Sequence, residues 1–577
     1  MPVESDQPNG AIGLPSPRTD ARTDTVSGRV SGGVAVLASL LAAGVDHAFC
    51  VPGESFLGVL EAMHREPRIR AISTRHEEGA SFMAIGYARL TGRPAVAMGT
   101  RMVGGANLAI GIHTAFQDSV PMVAIIGQSP TAYRFREAFQ EVELEAVFAP
   151  LAKVAIEVPS ADRLGELTLR AARIAVSGRP GPAVLILREE LSQELVDMND
   201  LVPPVVRPRP AADPDAVRAI LAMTRAAERP ILLVGGGIVA AEATDALVRF
   251  ARAEQIPVVT AWRRPDAFPN DDGLYLGWAG LRSPTNVLER LEAADLLVAI
   301  GTRLSEFTTY RYRIPAPGTR LVHVDVNAES LGGHRIADLG CQADARLFLE
   351  AIGDAAEADR APADLRAGRQ ERNAADRAAW ERQTTPGRGR ARTGYVDQEA
   401  VVAHLRKVMP PDAITVTDGG NFAGWPARFL RWNRPGSFLG PTSGAMGYGL
   451  PGALGAKLAR PSSPVIAFIG DGGFLMTGME LETAVREDIP IVALVYDNGQ
   501  YGTIRMHQRH DYPGTPVGTT LGPVDVAAFA RALGADGTTV RDDAEFPAAF
   551  AEALASGRPS VLHLRVDPEQ LYVGDER

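Results

Sequence analysis

Two cysteines, Cys50 and Cys341, are all that a chain of 577 residues contains. That excludes a disulfide framework and any multi-cysteine zinc site. Long apolar runs are also missing: none approaches the ~18 residues of a membrane-spanning helix, so no membrane association is expected. Excess positive charge is absent too. Lys and Arg total 59 against 69 Asp and Glu, a formal charge of −10, which argues against a broadly basic nucleic-acid binder. Residues 1–28 have no apolar segment and are rich in Pro, Gly, Ser, Thr and Asp. They read as a disordered tail, not a secretory signal, and a cytoplasmic location is expected. What is present is ordinary for a globular protein, with 46% hydrophobic and 22% charged residues. At roughly 100–200 residues per domain, about three to five domains are expected.

Three blocks alternate short Val/Ile/Ala/Leu runs with longer helical stretches, the pattern of βαβ units and a parallel sheet. Pro94 to Gly99, Pro121 to Gly127 and Pro182 to Leu187 read as buried strands of the first block. Pro230 to Val234, Ile256 to Thr260, Asp295 to Ile300 and Leu321 to Val326 serve the second. Ala413 to Thr417, Pro464 to Ile469, Pro490 to Val495 and Ser560 to Val566 serve the third. The fold class is therefore α/β, with three doubly wound parallel-sheet domains over 29–200, 213–355 and 394–577. The connector Leu201 to Pro214 carries five prolines and reads as extended. The linker over 356–393 is rich in Ala, Arg, Asp and Glu and predicts a solvated helix followed by a loop.

Gly470-Asp471-Gly472-Gly473 follows one predicted strand and precedes a helical stretch. A strand–glycine turn–helix aims backbone N–H groups at a phosphate, and a carboxylate in that turn suits a divalent cation. A tight turn with a solvated Asp fits the same residues equally well. The next strand ends at Asp497-Asn498-Gly499-Gln500-Tyr501-Gly502, with Asn498 27 positions beyond Asp471. One βαβ crossover brings both strand ends to the same sheet edge, where ligands bind. Asp471, Asn498 and the carbonyl of Gln500 then form an all-oxygen set for Mg2+.

These motifs resemble the signature of thiamine-diphosphate enzymes, in the branch of acetolactate synthase, pyruvate oxidase and related decarboxylases and lyases. That signature is GDG, then roughly 25–30 residues, then NN; here the first Asn is Asp497 and the second is retained as Asn498. Thr74 to Ala80 (TRHEEGA), followed by AIGYARLTGRPAVA, looks like the stretch that carries the family's glutamate, here Glu77. A bare reading of the residues does not choose between Glu77 and Glu78. Val51-Pro52-Gly53 resembles the family's YPGG turn, and Ala138-Phe139-Gln140-Glu141 is identical to its AFQE segment. Thr417 to Trp425 (TDGGNFAGW) resembles the loop beside the diphosphate.

The resemblance implies a set of roles. The cofactors are thiamine diphosphate and Mg2+, the metal held by Asp471, Asn498 and Gln500. Pro52, Gly419, Gly420, Asn421, Gly444, Gly470, Gly472, Gly473, Tyr501 and Gly502 join Glu77 and Met446 around the coenzyme. Glu77 hydrogen-bonds the aminopyrimidine, Met446 wedges the coenzyme into its bent shape, and Gln140 and His507 face the substrate. A carbanion at C2 of the coenzyme then attacks a 2-oxo acid, with decarboxylation and carboligation. Aldehyde lyase or acyltransferase chemistry on an aldehyde, and a non-catalytic cofactor-binding relative, are the alternatives. In this family Glu77 and the metal ligands come from different subunits, which implies a homodimer or homotetramer.

Four positions depart from the acetolactate synthase pattern. Thr100 to Asn107 reads TRMVGGAN where those enzymes read TSGPGATN, placing Arg101 near the expected pocket. Arg101 reads either as a holder of a substrate carboxylate or phosphate or as a salt-bridge residue. Glu189 stands at the position of a substrate-side lysine, Glu54 at that of a glycine, and His507 at that of a tryptophan. His507 reads as a substrate contact, a proton shuttle or an exposed loop histidine. The central domain binds FAD in some relatives. Here Val234-Gly235-Gly236-Gly237 lacks GxGxxG spacing, so a central domain without a nucleotide is the expectation.

Overall fold

The computed structural model describes residues 28–197, 206–387 and 391–574. The expected tail, and part of the proline-rich connector, lie outside the described residues. No helix among the described residues is long and apolar enough to cross a membrane.

Up to residue 207 the chain forms one compact unit. A short antiparallel pair joins β1 (Arg29–Ser31) to β8 (Leu195–Asp197). The main sheet contains β2 (His47–Cys50), β3 (Arg70–Ser73), β4 (Ala95–Gly99), β5 (Met122–Gln128), β6 (Val154–Glu157) and β7 (Pro182–Arg188). All its pairings are parallel, in the order β3-β2-β4-β5-β7-β6. β5 is buried along its whole length, as a central strand covered on both faces must be. The core gathers Val36, Leu37, Phe56, Val96, Ile125, Leu164 and Leu185.

Residues 208–577 form the second unit, with two further six-stranded parallel sheets. The central one holds β9 (Pro230–Val234), β10 (Val258–Thr260), β11 (Tyr275–Trp278), β12 (Leu296–Ile300), β13 (Arg320–Asp325) and β14 (Leu339–Gln342), ordered β11-β10-β9-β12-β13-β14. The last holds β15 (Ile414–Thr417), β16 (Phe438–Leu439), β17 (Val465–Gly470), β18 (Val492–Asp497), β19 (Asp536–Val540) and β20 (Ser560–Arg565), ordered β16-β15-β17-β18-β20-β19. Counted within each domain, the first and third sheets share the order 2-1-3-4-6-5, whereas the central sheet runs 3-2-1-4-5-6. In both orders the chain reverses direction across the sheet at one place, and the carboxyl ends of the strands there border a crevice.

In the central sheet two loops approach each other closely at that place. A Cβ on Gly235 would lie 2.4 Å from the carbonyl oxygen of Gly301, and one on Gly237 would lie 2.6 Å from Gly301 Cα. The predicted linker helix forms as Ala363–Thr384, but it is not solvated all round. Trp380 is 3% exposed and joins the central core, edge-on to Tyr275 and beneath the guanidinium groups of Arg377 and Arg431 at 4.3 and 4.0 Å. A polar composition hid this anchor, because a single tryptophan among charged residues produces little amphipathic pattern. Trp380→Ala should therefore cost about 3–5 kcal/mol, read as a lowered denaturation midpoint.

Candidate active site

In the last domain, the ends of β15, β17 and β18 deliver three loops to the place where strand order reverses. Gly470 closes β17, and Asp471 opens the helix Asp471–Thr477. Gly470 pairs with Tyr496 in the parallel register, so Asp471 falls beside Asp497. The N–H of Gly499 donates to Asp471 Oδ2 and to Asp497 Oδ1, both at 3.0 Å. Gly499 makes this turn with φ +65°, a left-handed conformation that glycine adopts without strain.

The two acids are not equivalent. Burial works against ionisation of Asp497, but a 2.7 Å hydrogen bond with His563 Nε2 and the charge of Arg565, 3.2 Å away, hold its carboxyl below the usual range. Asp471 has no such partner. Burial, and then the charge of Asp497, push its carboxyl up to about 7. A buried carboxylate facing another is stabilised by a cation, and the turn after Asp497 offers oxygens: Asn498 Oδ1, which accepts from Gln500 N–H at 3.2 Å, and the turn's backbone carbonyls. No cluster of three His, Cys, Asp or Glu side chains with metal-binding geometry occurs among the described residues. A hard cation with amide and carbonyl ligands therefore fits this site better than zinc.

The glycines around Asp471 clear space. A Cβ on Gly472 would meet the Tyr501 ring at 2.7 Å, and one on Gly473 would meet Asp418 Oδ2 at 2.5 Å. Asp418, which sequence reading passed over, ties two loops together. Its Oδ1 accepts from Gly419 N–H at 2.7 Å and its Oδ2 from Gly447 N–H at 3.0 Å. Gly419 also lies so close to the Gly444 carbonyl that a Cβ would approach it to 2.5 Å. Met446 is thus held between Gly444 and Gly447, both at positive φ, on a loop anchored to Asp418. Gly420 and Asn421 line a cleft with Trp262, Trp278 and Arg282. Gly502 starts the helix Gly502–Asp511, which carries His507; that side chain is 56% exposed and borders a second cavity with Arg282, Met506 and Tyr572.

In the first unit, Glu77 opens the helix Glu77–Thr91, where the helix dipole favours an anion. His76 caps this helix by accepting from Glu78 N–H. Geometry separates the two glutamates that sequence could not. Glu77 is 8% exposed, and its Oε2 accepts from Asn107 Nδ2 at 2.9 Å; Glu78 turns towards His76. A Cβ on Gly104 would sit 3.0 Å from Glu77 Oε1, so a glycine in the helix Arg101–Asp118 makes room for the acid. Pro52 is exposed at the end of β2, and a Cβ on Gly53 would meet the Thr100 side chain at 2.5 Å. Gln140 adopts φ +59°, and its Oε1 is buried without a hydrogen-bond partner.

Three of the four departures from the family pattern meet. Arg101 is 7% exposed and pairs with Glu189 Oε2 at 2.9 Å and with Glu54 Oε1 at 3.4 Å. Arg101 thus makes ion pairs, and they are largely buried on the arginine side.

A fold of this kind, with one buried acid at the reversal point of its last sheet and another heading a helix of its first, defines a coenzyme-dependent enzyme of the thiamine pyrophosphate class. The chain belongs to that family. Its "Thiamine pyrophosphate enzyme, N-terminal TPP binding domain" covers residues 30–147, the central domain 217–352, and the "C-terminal TPP binding domain" 418–564. Within the family it falls in the acetolactate synthase-like branch. It is 32% identical to the acetolactate synthase large subunit of Parasynechococcus marenigrum, over 93% of this chain and 88% of that protein. It is 32% identical to an acetolactate synthase of Mycobacterium bovis (88% and 83%) and 31% identical to the large subunit of Corynebacterium glutamicum (85% and 79%).

Asp418 offers a test through pH. Burial raises its carboxyl to about 6 from 3.8, so between about pH 4 and 6 the native state binds more protons than the unfolded chain. Its contribution to stability is present at low pH and falls as pH rises through that window. Asp418→Asn should flatten this fall. It should also cost about 1–3 kcal/mol, because one amide oxygen cannot accept from both Gly419 and Gly447. Denaturation midpoints measured from pH 4 to 7 check both outcomes.

Proposed function

We propose that this enzyme uses thiamine diphosphate and Mg2+ to decarboxylate a 2-oxo acid and to join the remaining fragment to a second carbonyl compound, as an acetolactate synthase-like carboligase. The observation that carries this reading is the buried Asp471, which lacks a cation of its own among oxygen donors. The bound coenzyme supplies the carbon nucleophile and the electron sink. Asp471, Asn498 and the Gln500 carbonyl would hold the magnesium ion. Gly419, Gly420, Asn421, Gly444, Gly470, Gly472, Gly473, Tyr501 and Gly502 cradle the diphosphate, using close backbone approach where a side chain would intrude. Met446, on its anchored loop, fixes the coenzyme's shape; this is positioning. Glu77, oriented by Asn107, would hold the aminopyrimidine of the coenzyme through a hydrogen bond, with Pro52 contributing to the same pocket. Gln140 and His507 face the substrate. The enzyme acts as a homodimer or homotetramer in the cytoplasm, with Glu77 of one copy serving the metal ligands of another. Aldehyde lyase or acyltransferase action is the competing reading, favoured by the altered charges at Arg101 and Glu189. CO2 release from a panel of 2-oxo acids separates the two.

Glu77→Gln should keep coenzyme binding, measured by calorimetry, while slowing C2–H/D exchange by about 10²- to 10⁴-fold. Unchanged exchange would refute the role of Glu77, and exchange absent from the wild type would favour a non-catalytic relative. Chelation of the metal should weaken coenzyme binding, and added Mg2+ should restore it. That restoration should strengthen as pH rises through about 7, because Asp471 must lose its proton to bind the ion. Subunit sharing predicts complementation. Co-expressed Glu77→Gln and Asp471→Asn chains, each inactive alone, should recover about a quarter of wild-type activity, since half of the randomly mixed dimers keep one of two sites. Sites built within one chain would recover none.

A further inference from the structure

Arg101 stands where β4 ends, at the reversal point between β2 and β4, the place where a sheet of this order takes a ligand. The same helix carries Gly104 and Asn107, which shape the surroundings of Glu77. Its backbone is strained: φ is +44°, in the left-handed region that a branchless glycine tolerates and an arginine does not favour. The strain brings a guanidinium into a buried position, and its contacts there are unequal. Nη2 donates to Glu189 Oε2 at 2.9 Å, an ordinary charge-assisted bond. Nη1 reaches the Phe139 carbonyl at 3.3 Å and Glu54 Oε1 at 3.4 Å, the latter longer than such bonds usually are. Nε is buried with no acceptor among the described residues. A guanidinium offers five N–H donors in a planar fork suited to carboxylates. The fork here has one firm carboxylate, one loose one and an unused donor.

The loose partner is also the movable one. The Glu54 side chain is 49% exposed and sits on a single short turn, Glu54–Phe56, whereas Glu189 is 27% exposed. The Phe139 ring, under the guanidinium at 5.4 Å, is itself 69% exposed, so the cluster lies at an opening.

We propose that Arg101 anchors the carboxylate of the 2-oxo acid substrate, that Glu54 is an internal carboxylate holding that place until the substrate displaces it, and that Glu189 is the fixed counter-ion. The proposal rests on the 2-oxo acid reading above and assigns that reading its substrate anchor. Arg101 with both glutamates carries one net negative charge, so an incoming anion is admitted only as Glu54 swings into water. Glu54 and the substrate therefore compete.

The experiment uses the full-length enzyme loaded with thiamine diphosphate and Mg2+. Its probes are oxamate, an unreactive 2-oxo acid mimic, followed by calorimetry, and steady-state kinetics with whichever 2-oxo acid releases CO2. Glu54→Gln, a conservative change at a half-exposed site, should tighten oxamate and lower KM by about two- to fivefold. Arg101→Met combined with Glu189→Gln, which avoids an unpaired buried charge, should weaken oxamate and raise KM by about 10- to 100-fold. C2–H/D exchange is measured without substrate in every variant. Exchange lost in the wild type counts against the parent reading alone. Exchange retained, with KM and oxamate affinity unchanged or weakened in Glu54→Gln, overturns the displacement by Glu54. Exchange retained, with only the melting temperature altered in the Arg101 double variant, shows a structural ion pair and overturns the anchor.

Discussion

Register forces the electrostatics of the last domain. β17 and β18 pair in parallel with Gly470 opposite Tyr496, so the next residues, Asp471 and Asp497, are placed together whatever their charges prefer. Two carboxylates at such a distance, sharing one N–H, are tolerated only if the positive charge around them is divided unequally. β20 supplies it to one side, because His563 and Arg565 flank the strand position of Asp497. Asp471 is left facing oxygen donors on the Asn498–Gln500 turn. The difference between the two acids thus follows from which strand lies next to β18.

The first and third domains repeat one strand order, and each carries a buried acid at the start of a helix on the same sheet edge. The means of holding the acid differ. Asn107 donates to Glu77 directly, and the glycine at 104 gives it room. Asp471 is held by a backbone N–H from a left-handed turn. The central sheet follows the other order, and there the backbones of Gly235, Gly237 and Gly301 approach one another closely.

Most interior strands were legible, since runs such as MVAIIGQ are buried along their length and carry no competing helical period; β2, only four residues of HAFC, was not. Edge strands were not. LGCQ, DGTTV and RAIS are short and half-exposed, and their polar residues resemble loops. The glycine turns and their acids were legible because chemistry fixes their local spacing. Asp418, Asn107 and His563 were not, because each acts on a residue brought close only by the fold: 29 positions separate Asp418 from Gly447, and 66 separate Asp497 from His563. Arg101, Glu54 and Glu189 stood out singly as departures, but nothing in the sequence joins residues 88 positions apart.

That junction explains why the three changes are tolerated together. An arginine buried there alone would lack compensation, and the two glutamates without it would repel each other. As a set they are nearly balanced, one cation between two anions. The balance also bears on how an anionic substrate enters. Exchanging one carboxylate for another leaves the charge of the cluster unchanged, so the guanidinium need not be exposed to water and buried afresh. A cation at the proposed site beside Asp471 would work in the opposite sense, changing the local charge and releasing a proton. Ionic strength and pH should therefore act on different parts of this enzyme: pH chiefly on the raised carboxyl of Asp471, salt chiefly on the half-exposed Glu54 contact, which water screens more than the less exposed Glu189 contact.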